Sequence, residues 1–136
     1  MDGRLTGCDI LIVEDEFFIL LDLTMMFEKL GASVTGVASL AEAMEIAGGD
    51  QAFSAAVLDV RLPDGEVFPA AEALTKRGIP VIFHSGHANT SEIETRFPEA
   101  LALSKPAPET LLVDAVTQRM LGVDGAQARA VGTAGV

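Results

Sequence analysis

The sequence contains no tryptophan, no tyrosine and a single cysteine, Cys8, among its 136 residues. One cysteine excludes an intramolecular disulfide and fits a protein of the reducing cytoplasm. Basic residues are also few: nine Lys and Arg stand against 20 Asp and Glu, which gives a formal net charge of −11. Because such a surface repels phosphate backbones and anionic lipids, we expect neither nucleic acid nor a membrane as a partner.

Long apolar runs are absent as well. No run approaches 18 residues, which excludes a membrane-spanning helix, and residues 1–4 do not begin a secretory signal. Hydrophobic residues still make up 49% of the chain, enough for one core at this length. We expect a single domain over residues 8–121, an N-terminal extension over 1–7 and a flexible Gly/Ala-rich tail over 122–136.

Short apolar runs alternate five times with amphipathic stretches. Runs that are apolar on both faces are typical of strands buried in a parallel sheet. The predicted strands are residues 10–13, 33–37, 55–58, 79–83 and 101–103. Five βα units predict an α/β fold of three layers, doubly wound and flavodoxin-like, (βα)5, with a parallel five-stranded sheet of order 2-1-3-4-5.

The amphipathic stretches predict helices on both faces of this sheet. Ser39 and Glu42 form a capping-box pattern at the start of the second helix. Residues 61–65 predict a loop. The residues expected to face the core are Ile19, Leu20, Leu23, Met26, Phe27, Leu30, Leu40, Ala43, Met44, Ala47, Phe68, Ala71, Leu74, Leu112, Ala115, Val116 and Met120.

Polar residues stand where the predicted strands end: Glu14 and Asp15 after the first, Asp59 after the third, Ser85 after the fourth and Lys105 after the fifth. In this fold, ligands bind at the carboxyl ends, where the strand order reverses. Three carboxylates would repel one another in such a cleft, and a hard divalent cation such as Mg²⁺ relieves that repulsion. With a hydroxyl and an ammonium added, the set contains the parts needed to bind a phosphoryl group on an aspartate.

Each of these residues has a simpler interpretation when it is taken alone. Glu14 and Asp15 would cap the following helix, and Asp59 would belong to a turn. Lys105 would be a solvated surface residue. Their joint position at predicted strand ends favours a common site.

Four segments resemble the signatures of response-regulator receiver domains, in order and each at a predicted strand end. The resemblance covers about residues 8–121. The segments are Ile12-Val13-Glu14-Asp15-Glu16, Leu58-Asp59-Val60-Arg61-Leu62-Pro63-Asp64-Gly65, Phe83-His84-Ser85-Gly86 and Ser104-Lys105-Pro106.

This resemblance implies a role for each matching residue. Asp59 would be the phosphoacceptor, and a sensor histidine kinase or phosphotransfer protein would be the donor. The implied ligands of Mg²⁺ (or Mn²⁺) are Asp15, Asp59, the main-chain carbonyl of Arg61 and, through water, Glu14. Ser85, Gly86 and Lys105 would bind the phosphoryl group or act as the switch, while Arg61 and His84 would modulate its lifetime. The peptide bond from Lys105 to Pro106 is often cis in the family.

Two positions depart from the family pattern. Ala102 stands where many receivers carry an aromatic switch residue. His84 and Ser85 replace Ala and Thr of the Phe-Ala-Thr-Gly-like motif found in some single-domain receivers. No output domain is expected after Leu121, so either another protein would read the signal or the domain would compete for a kinase's phosphoryl groups as a sink. By family analogy, the face of helix 4, strand 5 and helix 5 is the candidate for a homodimer.

Other functions remain open at this stage. A Mg²⁺-dependent phosphatase or nuclease of the same fold class would carry a second carboxylate two residues after Asp59, where Arg61 stands. A flavin-binding module would need a phosphate loop in place of the acidic residues at 14–16. His84 and His87 lack a third soft ligand for a transition metal. A degenerate receiver that acts only as a binding module is the last alternative.

Overall fold

A computed structural model describes the backbone of residues 3–86 and 90–132, and the side chains of 3–86 and 91–120. Within these ranges the chain forms seven strands and five helices. The strands are β1 (Asp9–Val13), β2 (Ser33–Val37), β3 (Ala55–Leu58), β4 (Arg61–Leu62), β5 (Gly65–Glu66), β6 (Val81–Ser85) and β7 (Leu101–Ser104). The helices are α1 (Phe17–Lys29), α2 (Leu40–Ala47), α3 (Phe68–Lys76), α4 (Thr90–Arg96) and α5 (Glu109–Gly132).

Five strands form one parallel sheet of order β2-β1-β3-β6-β7. This is the doubly wound, flavodoxin-like order predicted from the sequence. The remaining two strands, β4 and β5, form a small antiparallel hairpin where a loop was expected. Gly65 allows this tight turn, because its φ of +145° is a conformation that other residues rarely adopt.

One face of the sheet packs against α1 and α5. Phe27 and Val116, one from each helix, are fully buried against sheet residues such as Ile12. Leu5 joins this cluster with 1% of its surface exposed, and its N–H donates to the carbonyl of Leu30 at 2.7 Å. The segment expected to be an extension therefore contributes a core side chain.

The other face packs against α2, α3 and α4. Three aromatic rings meet there, with centroids 5.2–6.0 Å apart: Phe68 of α3, Phe83 of β6 and Phe97 after α4. The guanidinium of Arg96 lies 4.8 Å from the centre of the Phe68 ring. This cluster fixes β6, whose last residues reach the edge where the predicted site lies.

The second helix begins as the sequence predicted. Ser39 Oγ accepts from the Glu42 N–H at 3.1 Å, and Glu42 Oε1 accepts from the Ala38 N–H at 2.9 Å. The expectation that Met44 faces the core is wrong, since 40% of Met44 is exposed. On this short helix the small Ala43 and Ala47 form the buried stripe, and a long side chain at 44 projects beside it.

The last helix is longer than expected. It continues to Gly132, whereas the sequence predicts a flexible Gly/Ala-rich tail from residue 122 onward. Residues 126–131 include three alanines, glutamine and arginine, all of which favour helix, and this local preference outweighs the lack of an apolar face. Residues 133–136 lie outside the described ranges. Among the described residues, no helix combines the length and the apolar character needed to cross a membrane.

Candidate functional site

Parallel pairing of the two central strands brings the first acidic residues together. Val13 of β1 is paired with Leu58 of β3, so the residues that follow them leave the sheet side by side. The Asp59 N–H donates to the carbonyl of Val13 at 2.8 Å. This hydrogen bond fixes the main chain of Asp59 and therefore the position of its carboxylate.

Three carboxylates converge at this edge of the sheet. Glu14, Asp15 and Asp59 each offer an oxygen, and these oxygens lie within 4.8 Å of one another. Glu14 and Asp59 are buried, with 2% and 6% of their surface exposed, whereas Asp15 is exposed. Partial desolvation raises the pKa of Asp15, and the charge of Asp59 adds to the rise. Keeping Asp15 ionised beside the other carboxylates therefore costs free energy.

Lys105 joins this cluster from the end of β7, which is separated from β3 by β6 in the sheet. Its Nζ lies 2.9 Å from Glu14 Oε1 and 3.1 Å from Asp59 Oδ2. Its own N–H donates to the carbonyl of Ser85 at 2.8 Å, and the Lys105–Pro106 peptide bond is cis. Burial by itself would lower the pKa of Lys105, but the hydrogen bond to Glu14 and the charges of Glu14 and Asp59 outweigh it. The pKa of Lys105 is therefore held above its ordinary value.

Glu14 is the most buried acid of the site. Burial raises the pKa of its carboxyl group, and the hydrogen bond from Lys105 offsets part of that rise. Its second oxygen, Oε2, accepts from the Glu16 N–H at 3.0 Å. The direct pairing of Lys105 with Glu14 was not predicted, because strand-end positions do not indicate which of two adjacent carboxylates a lysine will contact.

The end of β6 supplies a further polar residue at this edge of the sheet. Ser85 is its last residue and is 5% exposed. Gly86 follows in an exposed position, and a Cβ built on it would lie 3.9 Å from Lys105 Cδ. Ser85 and Gly86 therefore lie beside Lys105, and their role in binding a phosphoryl group stays a prediction.

The two predicted modulators lie in different surroundings. Arg61 begins the β4–β5 hairpin two residues beyond Asp59, and its side chain is exposed. His84 is 5% exposed. Its burial lowers the pKa of the ring, and the positive charge of Lys105 lowers it further. Ala102 is an exposed residue of β7, paired with Phe83. His87 lies outside the described residues.

Asp64 has a structural role that the sequence analysis missed. Its carboxylate accepts from the N–H groups of Leu40 and Ala41 at 2.7 and 3.0 Å, and so caps α2. These backbone hydrogen bonds lower the pKa of Asp64. An aspartate in a Pro-Asp-Gly turn gives only a local signal, so a partner 24 residues away could not be identified from the pattern.

Comparison with known proteins agrees with this geometry. Residues 10–117 match the family model of the response regulator receiver domain. The chain belongs to this family. No curated protein matches the sequence. Receiver domains are signalling modules of two-component systems, which exchange phosphoryl groups with histidine kinases or phosphotransfer proteins, and they are not enzymes in the ordinary sense.

Solved structures of two receiver proteins and of a sensor protein are similar to this chain over most of its length. A response regulator receiver protein from Sinorhizobium medicae WSM419 is 28% identical, with a TM-score of 0.77 over 83% of this chain and 94% of its own. A sensor protein from Polaromonas sp. JS666 is 30% identical, with a TM-score of 0.71 over 85% and 98%. The receiver domain of a Pseudomonas aeruginosa PAO1 sensor histidine kinase is 26% identical, with a TM-score of 0.71 over 85% and 98%. That domain has a magnesium ion coordinated in its active-site cleft.

Proposed function

We propose that Asp59 accepts a phosphoryl group from a phosphohistidine on a sensor histidine kinase or phosphotransfer protein. The observation that supports this best is the position of Lys105 Nζ, 3.1 Å from Asp59 Oδ2 at the edge where the acidic residues meet. An ammonium beside one carboxylate oxygen is well placed to pair with phosphoryl oxygens once that aspartate is modified. The single cysteine and the donor class support a cytoplasmic location.

The residues present fit a divalent cation. Three clustered carboxylates face one ammonium, and hard cations prefer such oxygen ligands. We propose that Asp15, Asp59 and the main-chain carbonyl of Arg61 hold Mg²⁺ or Mn²⁺, with Glu14 acting through water. When bound, the cation would neutralise charge on the phosphoryl oxygens.

The transfer requires only a small set of protein groups. A carboxylate oxygen of Asp59 attacks phosphorus while the bond from phosphorus to the imidazole nitrogen breaks, and the departing imidazole takes up a proton from solvent. Lys105 pairs with the charge on the equatorial oxygens. Ser85 Oγ and the Gly86 N–H are the proposed donors to those oxygens. The product is an acyl phosphate on Asp59.

Hydrolysis later removes the phosphoryl group from Asp59. In this proposal the protein catalyses only its own phosphorylation and dephosphorylation. Arg61 is exposed two residues from Asp59, and we propose that its side chain controls how water approaches. His84 is buried and lines a cavity together with Lys105. We propose that it affects the lifetime through the packing of Lys105 rather than by contacting water.

The phosphodonor must cover the edge of the sheet that carries Asp59. Two aromatic residues begin α1 directly after the acidic segment, Phe17 at 66% and Phe18 at 75% exposure. Their rings contact each other edge to face, with centroids 5.3 Å apart. Because exposed aromatic pairs of this kind mark protein-binding surfaces, we propose that they contact the donor protein. A homodimer through α4, β7 and α5 stays a prediction by family analogy.

Two rival functions have weaker support. A phosphatase or nuclease of this fold class would use a second carboxylate at position 61, and Arg61 stands there. A receiver that has lost phosphorylation would have no need to hold Glu14, Asp59 and Lys105 in one buried, charged cluster. Retention of that costly arrangement favours an active phosphoacceptor.

Intact mass spectrometry after incubation with Mg²⁺ and acetyl phosphate tests the proposal. Wild type should gain one phosphoryl group, which EDTA should prevent and hydroxylamine should remove. Asp59→Asn should gain none, while Asp50→Asn, an exposed aspartate in the loop after α2, should behave like wild type. Equal labelling of the Asp59→Asn variant would assign the acceptor elsewhere, and an unlabelled wild type would favour the binding-module alternative.

A further inference from the structure

The β4–β5 hairpin connects the proposed phosphoryl site with the start of α2. Its base follows directly after Asp59, where the Val67 N–H donates to the carbonyl of Val60 at 2.8 Å. Both valines are fully buried, so this end of the hairpin is anchored in the core. The tip carries Asp64, whose carboxylate accepts from the first two N–H groups of α2 at 2.7 and 3.0 Å. The hairpin is therefore held at both of its ends.

The register of the hairpin leaves one carbonyl outside its own hydrogen bonds. Arg61 lies opposite Glu66 in the antiparallel pairing. Residue pairs in such a ladder alternate between hydrogen-bonded and non-hydrogen-bonded pairs. Because the Val67 N–H bonds to Val60, the pair of Arg61 and Glu66 is of the second kind. Within the hairpin the Arg61 carbonyl thus accepts no hydrogen bond from β5, and it is the main-chain ligand proposed above for the cation.

Two further contacts hold the tip of the hairpin on α2. A Cβ built on Gly65 would lie 2.9 Å from Leu40 Cδ2, so the main chain of the tip packs directly on this side chain. Leu62 is buried in the apolar cluster against which Leu40 also packs. A carboxylate at position 64 suits this place, because the N-terminus of a helix carries partial positive charge. The tip is positioned by apolar contact and by the charge of Asp64 together.

The second helix has attachments that do not depend on the hairpin. Ser39 Oγ accepts from the Glu42 N–H at 3.1 Å. Arg77, which follows α3, donates to the carbonyls of the last two residues of α2, each at 3.3 Å. Loss of the Asp64 carboxylate should therefore release the tip of the hairpin while α2 keeps its place.

We propose that Asp64 is a positioning residue of the phosphoryl site. By joining the tip of the hairpin to α2, it holds the Arg61 carbonyl where a divalent cation can bind. This inference rests on the proposed function, in which that carbonyl is a ligand. Coupling between two sites is reciprocal, so a cation held beside Asp59 should in turn strengthen the hydrogen bonds from Asp64 to α2. The start of α2 should then differ between the empty and the occupied site.

The test is an NMR titration of the full chain with Mg²⁺, in which the amide signals of Val60 and Arg61 report binding. Asp64→Ala should raise the Kd for Mg²⁺ roughly tenfold, the low end of the range for groups that orient metal ligands. Ser39→Ala removes a cap of the same helix without touching the hairpin, and it should leave the Kd within about twofold of wild type. Asp64→Asn keeps one acceptor oxygen and should give an intermediate Kd.

Hydrogen exchange of the Leu40 and Ala41 amides gives a second readout. Saturating Mg²⁺ should slow their exchange by up to about tenfold in wild type and in Ser39→Ala, since the coupling factor is the same in both directions. In Asp64→Ala it should leave their exchange unchanged. If wild type binds Mg²⁺ but Asp64→Ala and Ser39→Ala bind it equally well, this inference fails and the proposed function stands. Absence of Mg²⁺ binding in wild type would overturn both the metal site and this inference.

Discussion

Lys105 forms an ion pair with the buried Glu14, with Nζ 2.9 Å from Oε1. The same ammonium contacts Asp59, so one lysine serves two buried carboxylates. Phosphorylation of Asp59 would replace the single negative charge of its carboxylate with the roughly −1.5 to −2 charges of a phosphoryl group. We therefore expect Lys105 to turn toward the phosphoryl oxygens and Glu14 to lose part of its compensation. Because Lys105 would then pair less closely with Glu14, phosphorylation should increase the need for a cation beside Glu14.

Replacing Lys105 should reveal what this pair contributes to stability. In the absence of Mg²⁺, Lys105→Gln should lower the free energy of unfolding by about 3–5 kcal/mol at pH 7, since it leaves two buried carboxylates unpaired. The pKa of Lys105 is raised on folding, so its contribution is complete below its ordinary value of 10.5 and is lost as pH rises through the folded pKa. Urea unfolding between pH 7 and 11.5 measures both effects.

The matched control is Lys29→Gln, which removes an exposed lysine at the end of α1. This variant should keep the alkaline loss of stability seen in wild type, whereas Lys105→Gln should lack the part due to Lys105. If the two variants lose stability in parallel between pH 10 and 11.5, the pair with Glu14 does not stabilise the fold.

Asp15→Asn should have opposite effects with and without metal. The pKa of Asp15 is raised, so its ionised form opposes folding at neutral pH. Without Mg²⁺ the variant should be more stable than wild type by about 0.5–1 kcal/mol at pH 7, a modest value because the residue is exposed. This gain should vanish below the ordinary pKa of 3.8, where wild type is also neutral.

Magnesium should reverse that order. Wild type should gain about 2.7 kcal/mol at a Mg²⁺ concentration one hundred times Kd, because only the folded state holds the ion. Asp15→Asn should gain much less, while Glu45→Gln, an exposed acid of α2, should respond as wild type does. Thermal unfolding with MgCl2 against EDTA measures the difference, and an equal Mg²⁺ response in all three proteins would remove Asp15 from the ligand set.

The sheet and the meeting of the site residues could be predicted, because both depend on short apolar patterns that can be read one strand at a time. Short apolar runs predicted four of the strands, and the alternating pattern of residues 33–37 predicted the remaining edge strand. Parallel order then placed Asp15, Asp59 and Lys105 at one edge. Once strand ends are known, topology alone brings such residues together. Periodicity likewise identified most core positions of the helices.

Contacts between particular side chains could not be predicted in this way. The pairing of Lys105 with Glu14 and the capping of α2 by Asp64 each join segments far apart in the sequence. Met44 has the spacing of a core residue, but its neighbours Ala43 and Ala47 already fill the shallow space over the sheet. A hydrophobicity pattern does not show how much space lies between a helix and the sheet beneath it.

Leu5 shows the same limit at the domain boundary. The sequence predicts an extension over residues 1–7, yet Leu5 is almost fully buried among residues of α1 and the sheet. Leu5→Ala should lower the free energy of unfolding by about 2–4 kcal/mol, the usual cost of truncating a buried leucine. Leu111→Ala, which removes a leucine that is 48% exposed, should cost under about 1 kcal/mol. Equal effects in urea unfolding would mean that residues 1–7 are not part of the domain.

The exposed aromatic pair on α1 should matter for protein donors alone. Phe18→Ala removes a ring that is 75% exposed, so the free energy of unfolding should change by less than about 0.5 kcal/mol. Transfer from a phosphorylated kinase or phosphotransfer domain should slow roughly five- to tenfold, because a buried aromatic anchor at an interface contributes more than about 1 kcal/mol. Labelling by acetyl phosphate should stay unchanged, since this donor does not need the surface.

Met44→Ala is the control for this experiment, because Met44 is exposed on α2 and not on α1. It should leave the rates with both donors unchanged. Radiolabel transfer from the protein donor and intact mass with acetyl phosphate give the two rates for each variant. If Phe18→Ala slowed both donors equally, the ring would act on the geometry at Asp59, which lies close to the start of α1, and the contact with the donor would have to be sought on another face.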